Sequence, residues 1–561
     1  MARGHVRNVG SVPRAGSVLL TGKQSGPRRR RGLRFDGGGS PGGILWWRIA
    51  AVVLVAGAVA GVLAWRAQLQ ARDDRRAAAV RFVAAWERGD RAAMWRALTP
   101  RARAGYTEAA FARLYDRAYR TAGVKSVRAG TIGGEHDGRS ALPVGVELRD
   151  FGTLRGTVEL ALSGSGDQAG VDWRPALRLP GLRGDERVRR RAGSPPQRAG
   201  ILAADGTLLN ATALGASVAG VPPPRPTGLE RVYDERLGGH PAEQLLFGSR
   251  VVARTRAVQG RSLRTTLRPG LMRTAQAALG GKLGGVAVIR PRDGAVQALA
   301  GLALSAPQPP GSTFKIITLS AALEHHVASP STTYPLATSA TLSGVRLGNA
   351  NGERCGGRLT QAFVESCNSV FAPLGAKVGA ARLVATARAF GFGEQPAIPA
   401  AKASTIAPVS ELRDDLAVGA AAIGQDRDLA TPLQMASVGA TIALGGRRAR
   451  PRIATIDPIV RRRAVSARTA HLVRAMMLDV VRSGTGTAAA IPGVQVAGKT
   501  GTAELRPNSK DPKDADAWFV AFAPARQPRV AVAVMLVGAG FGGKAAAPVA
   551  RKVVAAALAS G

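Results

Sequence analysis

The apolar positions of this chain fall into stretches of different period, and each period predicts a different element. Residues 1–43 are rich in Gly, Pro and Arg, carry no hydrophobic repeat and read as a disordered tail. An apolar run follows: Ile44–Trp47, then Arg48, then the uncharged stretch Ile49–Trp65. Beyond it Ala79, Phe82, Val83 and Trp86 recur at i, i+3, i+4 and i+7, the stripe of a one-sided helix. Gly89-Asp90 ends that stripe, and a short second helix carries Met94, Trp95 and Leu98. Thr107 caps a third, bearing Phe111, Leu114, Tyr115 and Ala118. From residue 124 the period falls to two. Val144, Val146 and Leu148 alternate with Gly145 and Glu147, and Val158, Leu160 and Leu162 with Glu159 and Ala161, across a turn at Asp150–Thr153. Helices followed by an antiparallel sheet make residues 70–190 an α+β domain.

The second half repeats the strand signal around helical blocks. Pro222-Pro223-Pro224 marks an extended stretch, and Leu271–Leu279 reads as a helix. Gly285–Ile289, Asp293-Gly294 and Val296–Leu299 then spell strand, tight turn and strand, a hairpin at the edge of a sheet. Pro309-Pro310-Gly311 precede Ser312, and Ile316, Ile317 and Leu319 follow it, so Ser312 is expected to open a core helix. Val494 and Val496, alternating with Gln495 and Ala497, lead a strand into Lys499–Thr502, and Ala517–Phe522 reads as the next strand of the same sheet.

Charge changes the picture at the amino terminus. The 17 residues Ile49–Trp65 would rise about 26 Å as a helix, short for a bilayer core, but Ile44–Trp47 extends them and Arg48 can snorkel. Trp46, Trp47 and Trp65 bracket the segment as interfacial aromatics do. Ten Lys/Arg against one Asp in residues 1–48 predict a cytoplasmic amino terminus and an external bulk, on a single-pass cell-membrane anchor over residues 44–66. That basic lead is long for a cleaved signal peptide. The net charge of +41 would suit nucleic acid, yet aromatic residues are only 4% and no zinc finger or RNP pair is present. No nucleic-acid partner is expected; a solvated surface, or anionic wall polymers and lipid headgroups, accounts for the charge better. Six scattered histidines offer no metal-ligand spacing, and no cofactor is expected. Cys355 and Cys367 are the only cysteines. Outside the membrane they are free to bridge, or to be two separate buried side chains, and both readings stay open.

The chemistry lies in three short motifs. In Ser312-Thr313-Phe314-Lys315 a helix would place the amine on the same face as the hydroxyl. A helix amino terminus would offer N–H groups to an oxyanion, and its field, with burial, would lower the lysine pKa until a neutral amine can take the serine proton. Ser366-Cys367-Asn368 reads as a polar loop with Cys367 turned away. In Lys499-Thr500-Gly501-Thr502, Thr500 and Thr502 share a strand face, Gly501 lets a substrate backbone approach, and Lys499 supplies a charge for a carboxylate.

In that order the three motifs resemble those of the penicillin-binding proteins. Ile423-Gly424-Gln425 and Thr431–Ala436, running to Gly445-Gly446, resemble a helix pair of the class B transpeptidases and read as packing residues. Val171–Leu177 with Pro180-Gly181-Leu182 is similar to the exit of the nuclear-transport-factor-like domain of methicillin-resistance-type relatives. Arg198–Ile201 with Asp205-Gly206 is similar to a degenerate entry to a class B linker. The resemblance implies a multidomain chain: the tail, the anchor, the nuclear-transport-factor-like domain at 70–190, a linker or pedestal at 196–264, and an α/β transpeptidase domain at 265–561 with an antiparallel sheet flanked by helices.

It also implies a function, a peptidoglycan D,D-transpeptidase that cross-links stem peptides and is acylated by β-lactams. Ser312 would be the nucleophile and Lys315 its base. Ser366 would relay a proton to the leaving amine, Asn368 would hold the substrate backbone, and Lys499, Thr500, Gly501 and Thr502 would receive the terminal residue. Other wall-synthesis proteins are expected partners, and carboxypeptidase activity a side reaction. The alternatives are a silent β-lactam sensor or scaffold, and a β-lactamase. Class A β-lactamases usually carry Asp where this chain has Cys367. The stretch between anchor and linker is too short for a glycosyltransferase.

Overall fold

A computed structural model describes residues 43–209, 213–506 and 511–560. The tail of residues 1–43 therefore lies, apart from Gly43, outside the described residues. The chain divides into two compact units, one built from residues before 185 and the other mainly from Asp185–Gly561.

The first unit starts with α1 (Gly43–Arg88), one unbroken helix where the sequence suggested an anchor and then a separate element. From Ile49 it is long and apolar enough to cross a membrane, and the span is unburied. The stripe residues Ala79, Phe82, Val83 and Trp86 lie further along the same helix and are buried. Nothing between Trp65 and Ala79 breaks a helix: the segment is rich in Ala, Arg and Gln, all good formers. Gly89, at φ +74°, ends it. α2 (Arg91–Arg96), α3 (Pro100–Gly105) and α4 (Glu108–Ala122) follow, the last with Thr107 Oγ1 accepting from Ala110 N–H at 3.2 Å, as the cap predicts. Four strands pair in sequence order: β1 (Val124–Ala129), β2 (Arg139–Leu148), β3 (Gly152–Ser163) and β4 (Gly170–Val171). Trp173 anchors the core between Tyr106 and Phe111, its indole N–H donating to the Tyr115 hydroxyl at 3.1 Å. Burying each such ring is worth roughly 1.5–3 kcal/mol.

The second unit begins with a small sheet of β5 (Val188–Ala192), β6 (Glu243–Phe247) and β7 (Arg250–Arg254). Its main body is a five-stranded antiparallel sheet. α5 (Pro269–Leu279) leads to the expected hairpin of β8 (Gly284–Arg290) and β9 (Ala295–Gly301). A single 3-10 turn, Gly311–Phe314, runs into α6 (Lys315–Glu324). A second hairpin, β10 (Ser339–Leu342) and β11 (Val345–Gly348), precedes α7 (Leu359–Val364) and α8 (Asn368–Val378). Then come α9 (Asp415–Ala422), α10 (Pro432–Ala443) and α11 (Ala467–Ser483), and finally β12 (Ala497–Glu504), β13 (Ala515–Ala523), β14 (Val530–Leu536) and α12 (Gly542–Ala559).

Spatial order in the sheet is β9-β8-β14-β13-β12, which leaves β12 at an edge. Every residue of β14, and Asp516–Ala523 of β13, is buried, so helices cover both faces of the central strands. α10 and α12 both pack along them, α12 also against α5, and α11 along β12. α10 is buried over all 12 of its residues, Gln434, Ser437 and Thr441 among them, and the rest of its sequence is apolar or small on every side. Val494 and Val496, expected within the strand, precede it: β12 starts at Ala497, and Ile491 and Val494 form a separate small bridge.

Candidate active site

The three motifs converge at the edge strand. Ser312 is half-buried in the 3-10 turn, and the α-helix begins only at Lys315. The expected α-helix start is thus shifted by three residues, its first turn being wound as a 3-10 helix, as helix amino termini often are. Residues i and i+3 also align in a 3-10 turn, so Ser312 and Lys315 still share a face. Gly311 N–H donates to Gly424 O at 2.8 Å. A Cβ on Gly311 would come within 2.5 Å of Thr502 O, so backbone packs on backbone between the nucleophile turn and the edge strand.

Lys315 is fully buried, and its amine reaches the second motif rather than Ser312. Nζ donates to Asn368 Oδ1 at 2.6 Å and to Ser366 O at 2.7 Å, lies 3.5 Å from Ser366 Oγ, and sits over the Phe371 ring. The Ser312 hydroxyl makes no hydrogen bond among the described residues. Burial, and next the nearby Lys499, push the Lys315 pKa well below its ordinary 10.5. Burial, the larger cause, is as expected; the smaller cause is a second amine where the helix field was expected.

Lys499 is the mirror case. It too is fully buried, and burial lowers its pKa to about 7. Its Nζ donates to Ser366 Oγ at 2.8 Å and to Thr500 O at 3.1 Å, over the face of Phe363. The Ser366 hydroxyl therefore stands between two lysine amines, at 3.5 and 2.8 Å. Ser366 holds a left-handed φ of +66°, uncommon for a side chain with Cβ, and this turns its carbonyl to Lys315 while its hydroxyl meets Lys499.

On β12, Thr500 is buried and Thr502 half-buried, and the register sets Gly501 opposite Trp518. A Cβ at Gly501 would lie 2.8 Å from Pro310 O and from Thr313 Cγ2, so the room its missing side chain leaves is filled by the nucleophile turn and not, as expected, held open for a substrate backbone. Gly542 N–H, at the start of α12, donates to Thr502 Oγ1 at 3.4 Å.

Cys355 and Cys367 are bridged, their Cα atoms 5.8 Å apart, which settles the open choice and ties the middle residue of the second motif to the strand Cys355–Arg358. With Glu365 they form a group compact enough for a metal ion, but bridged sulfurs offer no thiolate.

Some residues of the site were not read from the sequence. Thr485 shares a 2.7 Å hydroxyl contact with Thr500, and Gly348 O accepts from Asn368 Nδ2 at 2.8 Å. Gly424 and Gln425, read as packing residues, touch both the nucleophile turn and the edge strand: Gln425 Nε2 lies 3.5 Å from Thr502 O. The Gly484-Thr485-Gly486 triplet was the available signal for Thr485. The chemistry this arrangement supports is acyl transfer, with a serine at a backbone-lined edge and neutralisable amines behind it.

Comparison with known proteins agrees with this geometry. The family model for the penicillin binding protein transpeptidase domain matches residues 284–555. Peptidoglycan D,D-transpeptidase PbpA of Mycolicibacterium smegmatis is 36% identical over 404 residues, 60% of this chain and 80% of that protein. PbpA of Mycobacterium tuberculosis is 38% identical over 296 residues, 47% of this chain and 58% of that protein's length. Among solved structures, penicillin-binding protein A from M. tuberculosis in its penicillin G acyl-enzyme complex is similar at a TM-score of 0.55. The two are 30% identical over 65% of this chain and all of that one.

Proposed function

The chain belongs to the penicillin-binding protein transpeptidase family, and on that premise we propose that it is a membrane-anchored class B enzyme joining peptidoglycan stem peptides through a Ser312 acyl-enzyme. The observation that carries the site assignment is the Ser366 hydroxyl between two fully buried amines, Lys315 and Lys499, each with a lowered pKa. Lys499, lowered to about 7, can hold or release a proton near neutral pH, and buried Lys315 gives its proton up far more readily than an exposed lysine.

Ser312 Oγ attacks the carbonyl of the penultimate D-alanine, and neutral Lys315 takes the hydroxyl proton. Backbone N–H groups of Ser312 and Thr502 receive the oxyanion. The peptide C–N bond breaks as Ser366 gives its hydroxyl proton to the departing amine and recovers one from Lys315, which returns to the neutral form, and D-alanine leaves. An amine of a neighbouring stem then attacks the ester, and its proton returns to Ser312 as the new amide forms; water in its place gives the carboxypeptidase side reaction. A β-lactam opens on Ser312 in the same way, but its amine stays tethered and blocks the second step. Thr500 and Thr502 on the edge strand receive the terminal carboxylate, Lys499 lends its charge from behind them, and Gly501 lets the strand pack on the nucleophile turn. Binding a carboxylate favours the charged form of Lys499 and draws a proton onto it.

Residues 70–190 we assign to a nuclear-transport-factor-like domain, on the order of helices before sheet, and 196–264 to a pedestal. The basic residues before α1 support a cytoplasmic amino terminus, with the transpeptidase domain outside the membrane and other wall-synthesis proteins as partners.

The test is labelling of the full-length protein with a fluorescent penicillin, wild type against Ser312→Ala, together with D-alanine release from a pentapeptide. A lasting adduct lost in the variant, with D-alanine released by the wild type, supports the proposal. Label retained in Ser312→Ala refutes the site. A rapidly lost adduct identifies a β-lactamase, and label without D-alanine release a silent sensor.

A further inference from the structure

The second motif is held from behind by a knot of hydrogen bonds outside the three motifs. Asn349, just after β11, is 8% exposed. Its Nδ2 donates its two hydrogens to Ala337 O and Glu353 O, both at 2.8 Å, and shares one of them with Ser369 Oγ at 3.1 Å. Its Oδ1 accepts from Ser369 N–H at 2.8 Å, and its own N–H donates to Thr338 O at 2.8 Å. One side chain thus ties the start of the β10–β11 hairpin, the turn after it and the second residue of α8.

The neighbour of Asn349 in sequence, Gly348, presents its carbonyl to Asn368 Nδ2 at 2.8 Å, while Asn368 Oδ1 accepts from Lys315 Nζ at 2.6 Å. An asparagine amide has two orientations of nearly equal shape, and only its surroundings choose between them. Flipped, this one would set Oδ1 against the Gly348 carbonyl and Nδ2 against a donor amine. Both contacts would be repulsive, so the Gly348 carbonyl decides which end of the amide faces Lys315. That carbonyl is carried by the hairpin, where Gly348 pairs with Ser339, and the next residue, Asn349, fastens this end of the hairpin to the first turn of α8 from which Asn368 projects.

We propose that Asn349 is a positioning residue: by clamping Gly348 to the amino terminus of α8, it fixes the Asn368 amide with its oxygen on Lys315. The proposal rests on the reading of this site as an acyl-transfer centre. Asn349 touches neither the reacting atoms nor the lysines, and acts only through Asn368.

The experiment measures the rate of acylation of full-length protein by a fluorescent penicillin across pH. Asn349→Ala should slow acylation roughly 10- to 100-fold, the scale of a small misplacement of a catalytic group. The groups facing Lys315 Nζ are Ser366 O and Oγ, Asn368 Oδ1, the Phe371 ring and Lys499. Of these, the variant loosens the Asn368 acceptor, which favours the protonated amine, so the acid limb of the profile should move to lower pH. Mere structural loosening would admit water, relieve burial and move the limb upward. In an Asn368→Ala background, adding Asn349→Ala should change the rate less than about twofold, because the coupled partner is already gone.

An upward limb, independent multiplicative losses, or an unchanged rate in Asn349→Ala would each overturn the clamp. Ser369→Ala removes only one of the bonds and should show a smaller change of the same sign, which keeps the test open if Asn349→Ala does not fold. A wild type that neither takes label nor releases D-alanine would defeat the reading of the site itself; a labelled wild type matched by Asn349→Ala defeats the clamp alone.

Discussion

Replacing Lys499 with methionine should stabilise the protein near neutral pH while abolishing acylation. Methionine keeps the straight-chain volume without the amine. In the fold the amine is fully buried and its pKa falls from 10.5 to about 7. Between those values the unfolded chain holds a proton that the folded chain has given up. Stability therefore rises with pH across that window and is level below it. At 1.36 kcal/mol per pH unit, keeping this lysine buried costs about 5 kcal/mol at pH 6.5 and about 1 kcal/mol at pH 9.5. The variant forgoes hydrogen bonds to Ser366 Oγ, Thr500 O and Thr500 Oγ1, worth about 1 kcal/mol each in net terms. The balance is a gain of about 2 kcal/mol at pH 6.5, a few degrees in Tm, and a loss of about 1 kcal/mol at pH 9.5, where the neutral amine has only two N–H groups to donate. Thermal unfolding of the full-length protein in detergent at the two pH values reads both signs, with penicillin labelling alongside. A Tm that falls equally at both would mean that the amine stays charged and satisfied, and the account of the two buried lysines would fail.

Two further outcomes follow from the same geometry. Gly311→Ala forces a Cβ to within 2.5 Å of Thr502 O at a φ of +52°, so labelling should fall by roughly 100-fold and Tm by a few degrees. A normal labelling rate in that variant would show that the nucleophile turn and the edge strand need not touch. Reducing the Cys355–Cys367 bridge, or the Cys355→Ser substitution, releases a short loop and should cost about 3 kcal/mol, seen as a lower Tm in reductant. An unchanged Tm would mean that the Asn349 knot alone holds the loop.

What could be read from the sequence was whatever chemistry forces into short range. The spacing of Ser312 to Lys315, of Ser366 to Asn368, and of Lys499 through Thr502 is set by what one turn or one strand can present, so each motif was visible by itself. The stripe on Phe82 and Trp86 and the alternation through Val144 and Val146 were visible for the same reason, since burial on one face imposes a period. Partners chosen across the fold were not. Lys315 meets Asn368, 53 residues away, in place of Ser312, and Lys499 meets Ser366, 133 residues away. No local pattern encodes either pairing. The lowered pKa of Lys315 was foreseen, but one of its causes, a second lysine brought in by the sheet, was not. α1 escaped division because Ala and Arg continue a helix as readily on either side of a membrane boundary, so hydropathy changes where secondary structure does not.

The nucleophile turn and the edge strand meet through bare backbone. A Cβ on Gly311, Gly501 or Gly424 would fall 2.5 Å from Thr502 O, 2.8 Å from Pro310 O or 2.2 Å from Gly311 O respectively. In the terms of inheritance, these are positions with no neighbouring allele: each single-nucleotide change away from glycine adds at least a Cβ where the opposing main chain already stands. The contact cannot be retuned by degrees at these residues, as it can at a side chain.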